Sequence, residues 1–275
     1  MGTPACRIAL TIAGSDSGGG AGIQSDLRTF EAFGCYGTSV VTAVTAQNTL
    51  GVRAVHPVPA EIVALQLQAL ADDLPPAACK SGMLGTAAVV ETVAGAIAAY
   101  SWPYVLDPVI RSTSGTPLLD ADGVTAMRDR LLPLAACVTP NLDEAAVLTG
   151  IAVYDADTMQ LAAERLLELG ASAALVTGGH LEGDVIVDVL VSANGVRRFP
   201  GRRIASRATH GTGCVLSAAI TAGLADARPL EDAVANAIAW VRTVIANAPP
   251  IGAGRGPAWI NAAHRGDSRS NPGDV

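Results

Sequence analysis

Short apolar runs that alternate with helix-period stretches are the feature of this sequence that most constrains its fold. Runs rich in β-branched and apolar residues predict buried strands over residues 8–13, 39–46, 104–109, 137–139 and 173–177. Helical periodicity follows or separates them over residues 23–33, 61–72, 87–100, 157–169 and 215–225. Strands that alternate with helices favour an α/β fold, in which a mostly parallel sheet is covered by helices on both faces.

A change of pattern after Asp184 predicts an antiparallel edge on this sheet. Apolar residues 185–191 and 196–199 flank Ser192-Ala193-Asn194-Gly195, and Asn-Gly between two such runs is typical of a β-hairpin. The sequence contains no internal repeat and no Pro/Ser-rich linker. Residues 1–264 are therefore predicted to form one domain, and the polar residues 265–275 a disordered tail.

Composition and charge narrow the class of partner. Half of the 275 residues are apolar and the formal net charge is -7, so no basic field is available for nucleic acid or an anionic membrane surface. No apolar run reaches the length of about 18 to 20 residues needed to span a bilayer. The five cysteines are scattered without a C-x-x-C pair, which indicates reduced thiols rather than a disulfide framework or a zinc site. We expect a cytoplasmic protein with a small-molecule partner.

A glycine-rich segment connects the first predicted strand to the first predicted helix. It reads Ala13-Gly14-Ser15-Asp16-Ser17-Gly18-Gly19-Gly20-Ala21-Gly22-Ile23-Gln24-Ser25-Asp26. Glycines at such a turn let the backbone approach a ligand closely. The spacing is neither that of a Walker A loop nor that of the Rossmann G-x-G-x-x-G pattern. A turn with only a structural role remains an alternative, with Asp16 and Asp26 as helix caps.

A second segment, Thr209-His210-Gly211-Thr212-Gly213-Cys214, directly precedes the predicted helix over residues 215–225. Consecutive backbone N–H groups at a helix N-terminus can bind one anion. The dipole of that helix would favour a thiolate at the cysteine, which could then accept the proton of a substrate hydroxyl. The alternative is a buried structural cysteine beneath a glycine turn.

Oxygen-bearing side chains follow two further predicted strands, where an open α/β sheet binds its ligands. Asp107 ends one strand, and Asn141 and Glu144 follow another. Their oxygen atoms suit magnesium and its waters. Asn141 and Glu144 also have the spacing of a capping box, and both roles can hold together.

These segments, taken in order, resemble the hydroxymethylpyrimidine/phosphomethylpyrimidine kinases of thiamine synthesis, in the ribokinase superfamily. The resemblance runs from about Arg7 to Trp259. Besides the glycine-rich turn, Asp107-Pro108-Val109 and His210-Gly211-Thr212-Gly213-Cys214, it rests on Thr45-Ala46-Gln47-Asn48-Thr49, Gly82-Met83-Leu84, Thr139-Pro140-Asn141 with Glu144, and Gly178-Gly179-His180.

The resemblance implies a three-layer α/β/α sandwich, Mg-ATP as phosphoryl donor and a homodimer. It implies that Cys214 is the general base and that the anion hole is formed by Gly211, Thr212 and Gly213. A carboxamide at Gln47 would bind the aminopyrimidine, since it offers a donor and an acceptor to a ring edge. The remaining implied substrate contacts are Gly14, Ala21, Asp26, Thr45, Met83 and Val109. The implied ATP or phosphate contacts are Asn141, Glu144, Thr177, Gly179 and Arg111, with Asp107 and Glu144 at the metal.

The sequence departs from the family at two phosphate-facing positions. The family usually has lysine where this chain has Thr177, and often Lys-Ser-Gly-Asp where it has Thr113-Ser114-Gly115-Thr116. Arg111 could substitute in part, although its planar fork differs from an ammonium group. The only lysine, Lys80, lies elsewhere in the sequence.

The implied function is ATP-dependent phosphorylation of 4-amino-5-hydroxymethyl-2-methylpyrimidine and of its monophosphate, in thiamine biosynthesis. Two alternatives remain open. A pyridoxal or pyridoxine kinase acts on a ring with the same hydroxymethyl group. A catalytically silent relative that only binds ligands would explain the missing lysines, but it would not need Cys214 beside an anion hole.

Overall fold

A nine-stranded sheet forms the centre of the protein, for which the computed structural model describes residues 6–112 and 114–260. Thr113 and the predicted tail over residues 265–275 lie outside the described residues. The strands are β1 (Ile8–Asp16), β2 (Tyr36–Asn48), β3 (Gly51–Pro57), β4 (Ala78–Ser81), β5 (Tyr104–Leu106), β6 (Cys137–Val138), β7 (Ala173–Val176), β8 (Val185–Ser192) and β9 (Gly195–Arg202). Their order in the sheet is β3-β2-β1-β4-β5-β6-β7-β8-β9.

Six neighbouring strands in the middle of the sheet, β2, β1, β4, β5, β6 and β7, are mutually parallel. Antiparallel strands flank them on both sides. The predicted hairpin is confirmed as β8 and β9, whose register closes at Ser192 and Gly195 around a two-residue turn. On the other side β3 pairs antiparallel with β2, which gives the sheet a second antiparallel edge.

Helices cover both faces of the sheet, so the predicted three-layer α/β/α sandwich is confirmed. One layer contains α1, α7 and α8, and the other contains α2 to α6. Along β1, Leu10 and Ile12 pack toward α2 and α3, whereas Ala9 packs toward α1 and α7. Both faces of the strand are therefore apolar, as expected for a covered parallel sheet. The helices are α1 (Gly22–Ala32), α2 (Ala60–Asp73), α3 (Ala87–Tyr100), α4 (Ala121–Ala126), α5 (Leu142–Thr149), α6 (Ala156–Glu168), α7 (Thr212–Ala225) and α8 (Leu230–Ala246).

The two strands that the hydrophobic pattern did not predict have polar or exposed sequences. Strand β3 is an edge strand whose residues are mostly exposed and which ends at a proline. Strand β4 is fully buried, yet half of its four residues are polar, Lys80 and Ser81. Because Lys80 and Ser81 interrupt the apolar run, the hydrophobic pattern does not predict β4.

The carboxyl ends of the parallel strands meet at one edge of the sheet. Strand β1 pairs with β2 on one side and with β4 on the other, so the order of strands reverses there. Ligands of open α/β sheets bind in the crevice at such a reversal. No helix in the described part of the chain has the length and apolar character needed to cross a membrane.

Candidate active site

A cleft of about 1100 Å³ opens at this carboxyl edge of the sheet. Its wall brings together nearly all of the side chains that the sequence singled out, from segments up to about 200 residues apart in the chain. One of them, Asp26, is fully buried and does not lie on the wall. The predicted residues that line the cleft are Gly14, Ala21, Thr45, Gln47, Met83, Asp107, Val109, Arg111, Asn141, Glu144, Thr177, Gly179, Gly211, Thr212, Gly213 and Cys214.

Asp16, the last residue of β1, shapes the glycine-rich turn. Its Oδ1 accepts the N–H of Gly18 at 2.7 Å, and its Oδ2 accepts those of Gly20 at 3.0 Å and Ala21 at 2.9 Å. Burial alone would raise the pKa of Asp16, but the hydrogen bond with His210 and the backbone N–H groups hold that pKa below its usual value. Asp16 thus anchors the turn ahead of α1, whose N-cap is Ala21.

His210 connects this turn to the second glycine-rich segment. Its Nε2 lies 3.0 Å from Oδ2 of Asp16 and 3.0 Å from the carboxamide of Gln47. No local pattern in the sequence singles out this histidine, because its partners are distant in the chain. The side chains of Asp16, Gln47 and His210 form one polar group on the cleft wall, the Gln47 group.

The N-terminus of α7 faces the cleft with backbone N–H groups. The first bond within the helix joins the N–H of Val215 to the carbonyl of Gly211, so the N–H groups of Thr212, Gly213 and Cys214 precede the helical ladder. Gly211 has a φ of +75°, and a Cβ there would lie 1.9 Å from the carbonyl oxygen of Gly20. Only glycine permits the two glycine-rich segments to touch at this point.

Cys214 lies in the first turn of α7, but the expected stabilisation of its thiolate is outweighed. Burial raises the pKa of the thiol, Lys80 opposes this rise and the carboxylates of Asp26 and Asp107 add to it, which together give a pKa of about 12. The backbone N–H of Gly22 points at the sulfur and favours the thiolate. In the free protein at neutral pH Cys214 is therefore a thiol, because its burial costs more than the helix dipole supplies.

A buried ionic group lies behind the cleft wall and centres on Lys80. Its Nζ is 3.0 Å from Oδ1 of Asp26 and 3.6 Å from Oδ2 of Asp107. Burial alone would lower the pKa of Lys80, but these carboxylates raise it, so the ammonium form persists. Thr11 donates to Asp26 at 2.6 Å, and Ser217 of α7 donates to Asp107 at 3.0 Å. Asp26, predicted as a substrate contact, is instead buried against Lys80 and Thr11 behind the wall, and Asp107 is the member of the group that reaches the cleft.

The capping box predicted at the start of α5 is confirmed, and it lies on the cleft wall. Oδ1 of Asn141 accepts the N–H of Glu144 at 3.0 Å, and Oε2 of Glu144 accepts the N–H of Asn141 at 3.0 Å. Burial and, to a lesser extent, the charge of Asp107 raise the pKa of Glu144 to about 8. Two carboxyl groups that repel each other at the mouth of a cleft fit a divalent cation, whose charge would relieve the repulsion.

Arginines rather than lysines supply the positive charge of the cleft wall. Arg203 ties the loop between β7 and β8, donating from Nη1 to the carbonyl of Gly179 and from Nε to that of Gly183, both at 2.9 Å. Thr177 follows β7, and its N–H donates to the carbonyl of Pro140 at 2.9 Å. Thr177, the position at which the family usually has lysine, therefore lies on a wall that contains several arginines. These are Arg111, Arg202, Arg203, Arg207, Arg242 and Arg255.

Comparison with known proteins gives one consistent family. Residues 16–259 match the model of the family described as phosphomethylpyrimidine kinase. A hydroxymethylpyrimidine/phosphomethylpyrimidine kinase of Rhizobium meliloti (strain 1021) is 50% identical over 261 residues, which cover 94% of this chain and 97% of that protein.

Two solved structures share this fold. The ADP complex of Bacillus subtilis pyridoxal kinase has a TM-score of 0.89 at 34% identity and covers 95% of this chain and 100% of its own. A phosphomethylpyrimidine kinase from Clostridium difficile 630 has a TM-score of 0.77 at 40% identity, with coverage of 86% and 98%. The fold, the cleft and the matched residues lead to one conclusion: the chain belongs to the phosphomethylpyrimidine kinase family.

Proposed function

We propose that this protein transfers the γ-phosphate of ATP to the hydroxymethyl group of 4-amino-5-hydroxymethyl-2-methylpyrimidine, and then a second phosphate to the resulting monophosphate. The observation that carries the proposal is that three features lie on the wall of one cleft: Cys214, the N–H groups at the start of α7, and Gln47 with its partners Asp16 and His210. A base, an anion hole and a ring-binding carboxamide are the parts that such a transfer requires.

Negative charge on the transferring phosphoryl group would be stabilised by the N–H groups of Thr212, Gly213 and Cys214, which are fixed before the reaction begins. The space beside Gly213 is open, since a Cβ there would meet no atom within 4 Å. The structure around α7 thus supports positioning and electrostatic stabilisation as the main sources of rate.

Cys214 would receive the proton of the substrate hydroxyl. Its thiol must first release its own proton to water in the cleft, and two neighbours favour that release, the Lys80 ammonium and the N–H of Gly22. Phosphoryl transfer passes through a loose transition state, so the hydroxyl proton need leave only late in the reaction. A weakly ionised thiol is compatible with that requirement.

Magnesium, when bound with ATP, would neutralise phosphate charge, and the residues placed to hold it are Asp107 and Glu144. On the ATP side the cleft wall includes Asn141, Thr177 and Gly179. The second phosphorylation must hold a dianionic substrate, and Arg111 on the wall supplies a positive charge near the position of the missing lysine.

The proposal includes a homodimer in the cytoplasm. Apolar side chains are exposed on the outer part of the sheet and on α2, and they offer a surface for a second copy. All five cysteines are unpaired, which suits a reducing compartment. The exposed apolar residues are Val44, Leu50, Val55, Ile62 and Leu65.

An ADP-release assay with Mg-ATP tests the proposed acceptor. The pyrimidine, its monophosphate and pyridoxal are each varied in concentration, and kcat/KM is compared. We expect the highest value for the pyrimidine or its monophosphate. A preference for pyridoxal would favour the second candidate, a pyridoxal kinase, which the likeness to the Bacillus subtilis structure supports. Binding without turnover of any substrate would indicate a silent relative.

A further inference from the structure

The orientation of the Gln47 carboxamide is determined by the groups at its two ends. The end at which the structure places Nε2 lies 3.0 Å from Nε2 of His210, and the end at which it places Oε1 lies 3.5 Å from Oγ1 of Thr45. A carboxamide has nearly the same shape when its oxygen and nitrogen are exchanged, so hydrogen bonding decides which atom faces which neighbour.

Asp16 determines the proton on His210. Its side chain is buried and accepts three backbone N–H groups, which requires a carboxylate with oxygen acceptors only. Oδ2 of Asp16 lies 3.0 Å from Nε2 of His210, so this ring nitrogen must carry a proton and donate it. The Gln47 end that faces the same nitrogen must then be the oxygen, because an N–H group there would face another N–H at 3.0 Å.

Thr45 gives the same answer at the other end. Its hydroxyl donates to the carbonyl oxygen of Ser15 at 2.9 Å, so Oγ1 has no second proton for Gln47 and can only accept. At 3.5 Å this contact is weak, and it favours the NH₂ group at the Gln47 end near Thr45. The two neighbours thus favour one orientation, with His210 as the stronger constraint.

The His210 ring is held firmly enough to act as a reference. Its backbone N–H donates to the carbonyl of Gly256 at 3.0 Å, and its segment pairs with that of Pro257. A Cβ at Gly20 would lie 2.6 Å from Cδ2 of the ring, so the glycine-rich turn packs directly against the imidazole.

We propose that His210 is a specificity-determining positioning residue, which, with Asp16 and Thr45, fixes the Gln47 carboxamide so that an N–H donor remains for the ligand ring. This inference rests on the proposed function and deepens it. The substrate class is a heteroaromatic ring whose edge presents an unprotonated nitrogen to Gln47. A ring that presents an N–H at that place is rejected, because two donors would then face each other on the cleft wall.

The proton on His210 is tested directly on the wild-type protein. A long-range ¹H–¹⁵N correlation spectrum of ¹⁵N-histidine-labelled protein distinguishes the ring nitrogen that carries the proton, and the His210 signals are assigned by their loss in His210→Gln. A protonated Nε2 is expected. An unprotonated Nε2 would overturn the proposal, whatever the substrate of the enzyme proves to be.

The selectivity is tested with two ligands that differ at the ring edge. One is the aminopyrimidine, and the other is its 4-oxo analogue, whose adjacent ring nitrogen carries a proton. In His210→Gln the new carboxamide can present either its oxygen or its NH₂ group to Gln47, so the orientation of Gln47 is no longer fixed. The wild-type ratio of the two kcat/KM values should therefore fall by about tenfold or more, with little change in KM for ATP. His56→Gln makes the same replacement on the outer strand β3 and should keep the wild-type ratio.

An unchanged ratio in His210→Gln, or an equal loss for both ligands with a higher KM for ATP, would show that His210 only holds the loops together. No turnover of either ligand by the wild-type protein would contradict the proposed function instead, and the histidine spectrum would still decide the proton on His210.

Discussion

At the scale of single residues, the most unexpected placement is that of Lys80. The sequence offered the only lysine as a poor replacement for the missing phosphate partners, and the structure buries it completely between Asp26 and Asp107. A buried ammonium between two carboxylates is compensated only while all three are present. Through Asp107 the group reaches the cleft, so the charge of the cleft depends on a residue that does not lie on its wall.

Replacing Lys80 by the apolar methionine should be strongly destabilising. Lys80→Met leaves two buried carboxylates without a counter-charge, and we expect the free energy of unfolding to fall by about 3–5 kcal/mol. Urea denaturation monitored by circular dichroism measures this. The double variant Lys80→Met/Asp26→Asn removes the paired charges together and should recover part of the loss. A single variant within about 1 kcal/mol of wild type would contradict the ion-pair account.

Residue identities were easier to predict than their contacts. The residues of the cleft could be named because their segments, in order, resemble those of a known kinase family. The residue types alone left a structural role open for the glycine-rich turn and for Cys214. The contacts of Asp16 with His210 and of Lys80 with Asp26 join residues far apart in the chain. No local pattern encodes such pairs, and the high pKa of Cys214 depends on burial that a helix-dipole argument omits.

At the scale of elements, the chain provides a natural comparison of two capping boxes. The box of α5, Asn141 with Glu144, lies on the cleft wall, whereas the box of α6, Asp155 with Thr158, is exposed elsewhere. Both satisfy N–H groups at a helix start in the same way. A difference between the two in activity therefore reports on the cleft and not on capping.

Asn141→Ala and Asp155→Ala should each lower the free energy of unfolding by about 0.5–2 kcal/mol, because each removes an N-cap. Only Asn141→Ala should raise KM for ATP, since the start of α5 would lose its fixed position at the cleft. Thermal unfolding and steady-state kinetics on both variants measure this. Equal kinetics in the two variants would argue that the α5 box has a structural role alone.

The elements themselves were predicted where the hydrophobic period was strong. Helix α3 occupies the predicted residues 87–100, and the hairpin of β8 and β9 followed from its Asn-Gly turn. Strands β3 and β4 were missed because tertiary contacts, rather than their own apolar residues, make them strands. In β4, the charge of the buried Lys80 is balanced by two carboxylates, one from α1 and one from the residue that follows β5.

At the scale of the whole molecule, several buried thiols should make the free energy of unfolding depend on pH in the alkaline range. Burial raises the pKa of Cys137 in β6 to about 12, from an ordinary value of 9.0. Between these two values the unfolded chain loses a proton that the folded chain keeps. The unfolded state is therefore favoured as pH rises, and the stability present below pH 9 is lost progressively.

We expect the free energy of unfolding to fall with pH above 9, with each such thiol contributing about 1.4 kcal/mol per pH unit. Urea unfolding at half-unit steps from pH 8 to 10.5 measures the slope. Cys137→Ala should make the slope shallower by one proton. Val105→Ala, at the position paired with Cys137 in β5, should lower stability equally at every pH. A slope identical in Cys137→Ala and wild type would contradict the shift.

The central claim is that phosphate is transferred to the hydroxymethylpyrimidine at Cys214, beside the N-terminus of α7. The most direct test follows the products by ³¹P NMR when wild-type protein or Cys214→Ala is mixed with Mg-ATP and the pyrimidine. Wild-type protein should form the pyrimidine monophosphate and then its diphosphate, while Cys214→Ala should bind ATP yet form neither at a comparable rate. Near-wild-type product formation by Cys214→Ala would contradict the account of the base, and no phosphorylated pyrimidine from the wild-type protein would contradict the proposed function.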